Sequence, residues 1–332
     1  MKAFFLFPGQ GAQYPGMAID LLAAGKEVKS LFNMASDIMG KDMADLLANS
    51  EPEFLKRTDI SQPAITLANL AAAAYLEEKG IQPCGCAGFS LGEYAALATA
   101  GVISLEDCFF LINQRGLAMQ AAIDNIQARS KTNASANEAN DPADAESTAP
   151  GMAAIIGLPP EQVENLIIEW KKKGLNDLYA ANLNSLKQVV VSGSAAALKE
   201  AEKLFREAGA KRCIRLQVAG PFHSALMKEA ADAFAPFLEK IKFNDPTIPV
   251  FSNVTGKQIN SGEEAKTLAL RQIVESVRWT DEEAAIAGQK PEMLLEAGPG
   301  RVLQGLWKDT GNEIPCSAAG AVDDIEQLAK LC

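Results

Sequence analysis

The sequence predicts an α/β protein: a mostly parallel sheet covered on both faces, interrupted by a smaller inserted subdomain. Three observations lead there. Short apolar strands alternate with helical stretches near both ends of the chain, as in parallel sheets joined by crossover helices. The middle reads strand–helix–strand–strand–helix–strand over about seventy residues, the order of a ferredoxin-like unit. Between the two patterns lies Ala128–Ala149, a run without a single Val, Ile, Leu, Met, Phe, Trp, Tyr or Cys.

Ala3–Phe7 opens the chain as a compact apolar strand, ended by Pro8 and Gly9. Helices are expected around Val28–Met39 and Ile65–Glu77, then a small-residue strand at Cys84–Gly88 and helices from Leu91 and Leu105. The Ala128–Ala149 run cannot bury enough apolar area to offset chain ordering, which predicts a mobile, disordered-type surface insertion. After it come a strand at Met152–Ile156, an amphipathic helix at Glu161–Lys173, and strands at Leu178–Asn182 and Gln188–Ser192. A second helix at Ala195–Ala208 and a last strand at Arg212–Val218 complete the unit. Beyond it, Ala225–Lys240 and Glu264–Glu275 read as helices, Pro249–Ser252 and Met293–Glu296 as strands. The expected division is a large domain from 1–127 and 219–332, the insertion at 128–149, and the subdomain at 150–218.

The chain has 332 residues, 48% hydrophobic and 22% charged, with 31 Lys+Arg against 42 Asp+Glu, a formal charge of -11. Nucleic acid is a poor partner for that balance, because phosphate binding calls for surplus Lys and Arg. The long uncharged stretch Ile60–Leu76 is interrupted by Ser61, Gln62, Pro63 and Asn69, so no membrane span is expected. The apolar start, Met1–Phe7, is too short for a signal-peptide core. Six cysteines without a C-x-x-C pair suit reduced thiols in the cytoplasm. With one histidine, His223, a His-rich metal site is impossible, and the cysteines lack zinc spacing. No metal or organic cofactor is expected, and the chain reads as a monomer.

The sharpest local signal is Gly88-Phe89-Ser90-Leu91-Gly92, a G-x-S-x-G between a strand and a helix. The glycines permit a tight turn that leaves Ser90 exposed at a helix head, where the Leu91 N–H and the helix dipole favour a developing oxyanion. A serine hydroxyl needs a base, and His223, in Gly220-Pro221-Phe222-His223-Ser224 after a strand end, is the single imidazole. The order Ser, Asp, His of an α/β-hydrolase fits poorly with 109 residues after His223, so a neutral group orienting the histidine is plausible. Pro8-Gly9-Gln10-Gly11-Ala12-Gln13 is a weak dinucleotide signal, ending in Tyr14 where a third glycine belongs. As a tight turn at a strand end it would expose the Gln10 N–H as a second oxyanion donor. Arg115 falls on the apolar stripe Cys108, Leu111, Arg115, Met119, so it either meets an anionic partner in the interior or snorkels to solvent.

Gly9–Gln13, Gly88–Glu93, Gln114-Arg115-Gly116, Asn182–Ser185, Gly220–Ser224, Arg271-Gln272 and Gly298–Leu303 together resemble the malonyl-CoA:acyl carrier protein transacylases, in that family's order along nearly the whole chain. The resemblance implies an α/β-hydrolase-like large domain with a ferredoxin-like insert. It implies that Ser90 is acylated, that His223 is its base, and that Arg115 holds the malonyl carboxylate. It places the oxyanion hole at the Gln10 and Leu91 amides, the carbonyl that orients His223 at Gln272, and Asn184 beside the site. Lys211 and Arg212 match basic residues that would meet an acidic carrier protein. Phe89 stands where the family usually has histidine, which bears on acyl selectivity. The implied partners are malonyl-CoA as substrate and acyl carrier protein as acceptor, in fatty-acid elongation. The rival readings are a stand-alone polyketide acyltransferase using another extender unit, a serine thioesterase, and a non-catalytic carrier-binding relative.

Overall fold

The computed structural model describes residues 1–135 and 149–331. Its strands, in chain order, are β1 (Lys2–Phe7), β2 (Gln82–Gly88), β3 (Gly151–Ile156), β4 (Leu178–Ser185), β5 (Gln188–Gly193), β6 (Arg212–Arg215), β7 (Phe251–Ser252), β8 (Lys257–Gln258), β9 (Leu294–Glu296) and β10 (Cys316–Ala318). The helices that build or flank the site are α1 (Thr58–Glu78), α2 (Gly92–Thr99), α3 (Leu105–Ser135), α4 (Pro160–Lys172), α5 (Ala195–Glu207), α6 (Lys228–Glu239), α7 (Gly262–Arg271), α8 (Trp279–Gly288) and α9 (Val302–Asp309).

The large sheet is parallel, in the order β10-β9-β1-β2, and the segment before β7 extends it through a parallel bridge between Cys86 and Val250. Its centre is β1, whose side chains alternate between two cores. Ala3, Phe5 and Phe7 join the core made with α1, α2 and α3, whereas Phe4 and Leu6 join Trp279, Ile286, Leu303 and Trp307 from α8 and α9. Both faces being covered explains why β1 reads as an unbroken apolar run.

The inserted sheet is antiparallel, in the order β4-β5-β3-β6, the arrangement expected of a ferredoxin-like unit. Helices α4 and α5 cover one face through Val163, Ile167, Trp170, Leu198 and Phe205, with the Trp170 and Phe205 rings 4.7 Å apart. The other face turns Met152, Ala154, Ala181 and Val190 toward the large domain's core. Strand β4 is also tied to that domain directly: Leu183 N–H donates to the Val277 carbonyl and Val277 N–H to the Ala181 carbonyl, both at 2.8 Å. That link holds the subdomain over the carboxyl ends of β1 and β2.

Several elements differ from the sequence expectation. Helix α1 starts at Thr58, not Ile65, because burial around most of its circumference holds Pro63 inside it. Of the Ala128–Ala149 run, the part through Ser135 continues α3 as helix; extending an anchored helix is far easier than starting one. Residues 136–148 lie outside the described residues. Strand β6 ends at Arg215; Leu216 still donates to the Met152 carbonyl of β3 at 2.9 Å, and with Val218 it lines a cavity as the chain departs. Helix α7 ends at Arg271, placing Gln272 just past its last turn. Helices α8 and α9 and strand β10 were not foreseen. Buried acids in α8, Glu282 and Glu283, mask its apolar face, and β10 has only three residues. Among the described residues, no helix is long and apolar enough to cross a membrane.

Candidate active site

The turn from β2 into α2 is sterically tight. A Cβ on Gly88 would land in the backbone of Gly92, and one on Gly92 would collide with the Phe7 carbonyl of the neighbouring strand. Between these glycines Ser90 adopts φ 53, a left-handed conformation that an L-residue holds only when its surroundings impose it. The reward is exposure of the hydroxyl: Ser90 Oγ lies 2.7 Å from His223 Nε2. His223 is itself left-handed at φ 53, in a loop held by the Ser192 hydroxyl donating to the Phe222 carbonyl and the Ser224 hydroxyl donating to that of Pro221.

The tautomer follows from the partners. His223 Nδ1 is 2.8 Å from the Gln272 carbonyl oxygen, which can only accept, so Nδ1 carries the proton. Nε2 is then the acceptor and Ser90 O–H donates to it. The Gln272 carbonyl is available because α7 has ended and its last carbonyls have no helical partner. Burial, reinforced by the nearby Arg115 charge, lowers the His223 pKa to about 4, so the imidazole is neutral at ordinary pH.

Arg115 does not snorkel. It is 1% exposed, and its guanidinium sits 5.5 Å from the centre of the Tyr94 ring. It donates to two neutral acceptors, Gln62 Oε1 at 2.7 Å and Gln272 Oε1 at 3.0 Å, and its Nε has no partner. Among the described residues no carboxylate forms an ion pair with it.

A cavity of about 270 Å³ between the subdomain and the large sheet brings most of the predicted residues together: Gln10, Phe89, Ser90, Arg115, Asn184 and His223. Asn184 reaches it from β4 with its Oδ1 unpartnered. Phe89 borders the cavity and also packs edge-on against Trp279, ring centroids 5.4 Å apart. Gln272 lies fully buried behind His223, and Leu91 is buried at the head of α2. Among the described residues, neither the Gln10 nor the Leu91 N–H donates to a backbone acceptor, as donors reserved for a ligand would require. Lys211 and Arg212 are not in the cavity. They are exposed where β6 begins, five and four residues from the Leu216 that lines it, or about 17 and 13 Å at strand spacing.

The sequence assigns no role to four further polar groups. Gln62 meets Arg115; Glu93, Asn253 and Glu282 form a buried cluster beneath the elbow. Burial pushes the Glu93 carboxyl up to about 7 and Glu282 well above the ordinary range. A signal existed for Asn253, which directly follows a predicted strand at its carboxyl end, where α/β sheets gather their sites. Nothing in the local pattern marked Glu282.

A serine on a strand–turn–helix elbow, paired with a neutral histidine and facing a buried cation, defines a serine acyl-transfer enzyme. The family model for the acyl transferase domain matches residues 4–176 and 145–329. The malonyl CoA-acyl carrier protein transacylase of Haemophilus influenzae is 39% identical over 311 residues, covering 93% of this chain and 92% of that protein. The solved acyl carrier protein S-malonyltransferase of Vibrio cholerae superposes with TM-score 0.86 at 35% identity, covering 99% of this chain and 100% of that one. A malonyl-transacylase solved in complex with its type II polyketide synthase acyl-carrier protein gives the same TM-score, 0.86, at 35% identity over 100% of both chains. The chain belongs to the malonyl CoA-acyl carrier protein transacylase family.

Proposed function

We propose that this protein transfers a malonyl group from malonyl-CoA to the phosphopantetheine thiol of an acyl carrier protein, by way of an acyl-serine, supplying fatty-acid elongation in the cytoplasm. The observation that carries the substrate choice is Arg115, a buried cation with only neutral partners on the wall that Ser90 and His223 share. A buried guanidinium gains most from a carboxylate, whose two oxygens match its planar fork. Malonyl has that carboxylate and acetyl does not.

In the first half-reaction the Ser90 Oγ–H proton moves to His223 Nε2 as Oγ bonds to the thioester carbonyl carbon. The resulting oxyanion is stabilised by the Gln10 and Leu91 amides and the N-terminal end of α2. The C–S bond then breaks and the CoA sulfur takes the proton from Nε2. The second half repeats these steps in reverse with the carrier's thiol: it yields its proton to Nε2, attacks the ester, and Ser90 recovers a proton as it leaves. Gln272 keeps Nδ1 protonated throughout. Asn184, with its unpartnered Oδ1, lines the same chamber, and Phe89 limits it on the α8 side.

The test is intact-mass detection of a malonyl adduct with malonyl-CoA alone, followed by its discharge on adding holo acyl carrier protein. Discharge to water at the same rate without carrier would identify a thioesterase. The same assay examines docking. Exposed Lys211 and Arg212 suit steering of an acidic carrier, so K211E/R212E should slow the carrier step several-fold and weaken its salt dependence, leaving acylation by malonyl-CoA unchanged. An unaltered carrier step removes these two residues from the interface.

The lowered pKa of His223 has a kinetic consequence. A base that must be neutral fails as pH falls through its pKa, so the acid limb of acylation should have its midpoint near 4, whereas an ordinary histidine would place it at about 6.5. Because the Arg115 charge helps depress it, R115A should shift that limb upward, measured by single-turnover acylation with acetyl-CoA. A native limb near the ordinary histidine value would mean that the base is not this buried imidazole.

A further inference from the structure

Asn253 occupies an unusual place beneath the nucleophile. It follows the two-residue strand β7 and is fully buried. Its Oδ1 accepts from Ser90 N–H at 2.7 Å, and its Nδ2 donates to the Gly88 carbonyl at 2.7 Å. Gly88 and Ser90 are the two ends of the turn that carries Phe89, so one side-chain amide spans the elbow much as a peptide of an adjacent strand would. The second Nδ2 hydrogen goes to Glu282 Oε1 at 2.8 Å, and the Asn253 backbone N–H to Glu93 Oε2 at 2.9 Å. Gln272, whose carbonyl holds His223, donates through Nε2 to the Ser90 carbonyl at 3.0 Å, to Glu93 Oε2 at 2.8 Å and to Asn253 Oδ1 at 3.3 Å. Both members of the Ser–His pair are therefore tied to one buried cluster.

We propose that Asn253 is a positioning residue for acyl transfer: by bridging the Gly88 carbonyl and the Ser90 N–H, it holds the left-handed nucleophile turn so that Oγ stays in line with His223 Nε2. Backbone sterics alone do not favour φ 53 at a serine; the conformation persists only while its surroundings over-determine it. Without the bridge the turn has an unpaired carbonyl at one end and an unpaired amide at the other, and Oγ drifts from the imidazole. Asn253 itself does not line the cavity and makes no hydrogen bond to Arg115, so the bridge acts on the nucleophile's placement and the chemical step and not on substrate affinity.

The inference rests on the acyl-serine reading, and the two are separable because every measurement is referred to the native protein. If the native protein forms no acyl-enzyme, the acyl-serine reading falls. N253A is expected to lower the single-turnover acylation rate by about 100-fold, the scale of a displaced reacting group, with KM for malonyl-CoA within about twofold of native. N253D gives a signature that a general structural lesion does not. Protonated, the introduced carboxyl keeps the acceptor for Ser90 N–H and offers an O–H to the Gly88 carbonyl. Ionised, it presents only acceptors to that carbonyl and to Glu282. The groups facing it are Glu93 from α2 and Glu282 from α8, with Arg115 of α3 and His223 beyond Gln272. The ratio of N253D to native acylation rates should therefore fall as pH rises over roughly 5 to 9, and taking the ratio cancels titrations common to both proteins. A native acylation rate in N253A overturns the proposal. So does an N253D ratio that is flat with pH, whether near one or near zero, and that ratio decides alone should N253A fail to fold.

Discussion

S90A should form no malonyl-enzyme, and its transfer rate should fall by at least about 10³-fold, the scale seen when a covalent nucleophile is removed. The physical ground is that the described cavity presents one hydroxyl to the imidazole, at 2.7 Å. The fold should survive the change. The Ser90 backbone keeps its hydrogen bond to Asn253, and alanine bears the same left-handed strain as serine, so the thermal midpoint should move little. Intact-mass spectrometry after mixing with malonyl-CoA reads the result directly. A persisting adduct in S90A would place the acyl group on another residue and dismantle the assignment of the whole site.

R115A should separate two substrates that differ by a carboxylate. Losing a charge-assisted pair in a desolvated site costs on the order of 2–5 kcal/mol, which lowers malonyl transfer by roughly 30- to 4,000-fold. Acetyl transfer has no such pair to lose and should hold or rise. The substitution also strips Gln62 and Gln272 of a donor, and Gln272 orients His223, so a structural contribution is built into the experiment. The acetyl control measures it. Equal losses for both substrates would make Arg115 a strut for Gln272, and the malonyl preference would need another source.

Elements and residues differed in how readily they could be read from the chain. Strand β1 and the subdomain order were legible because side-chain period and turn chemistry are properties of neighbouring residues. The elbow was legible for the same reason: two glycines flanking Ser90 permit a turn that no other residue type tolerates there. His223 stood out by being alone. Arg115 could be placed on an apolar stripe, yet the stripe left open whether it met an anion or reached solvent. The end of α3 and the extent of α1 were misjudged because packing, not composition, sets how far an anchored helix runs.

By itself, then, the sequence determined the fold class and the family and singled out Ser90 and His223, all written in local pattern or in blocks of contiguous residues. Only the tertiary structure decided what surrounds them. It set neutral partners around Arg115, protonation at His223 Nδ1, a cavity shared by Gln10, Asn184 and Phe89, and the cluster of Glu93, Asn253 and Glu282 under Ser90. The reason is physical. Hydrogen bonds at the site join residues 90 to 223, 223 to 272, 115 to 62 and 253 to 88, and no periodicity spans such separations. Their distances and the desolvation that shifts their pKa values arise only when β2, α2, α3, α7 and α8 pack around one buried volume.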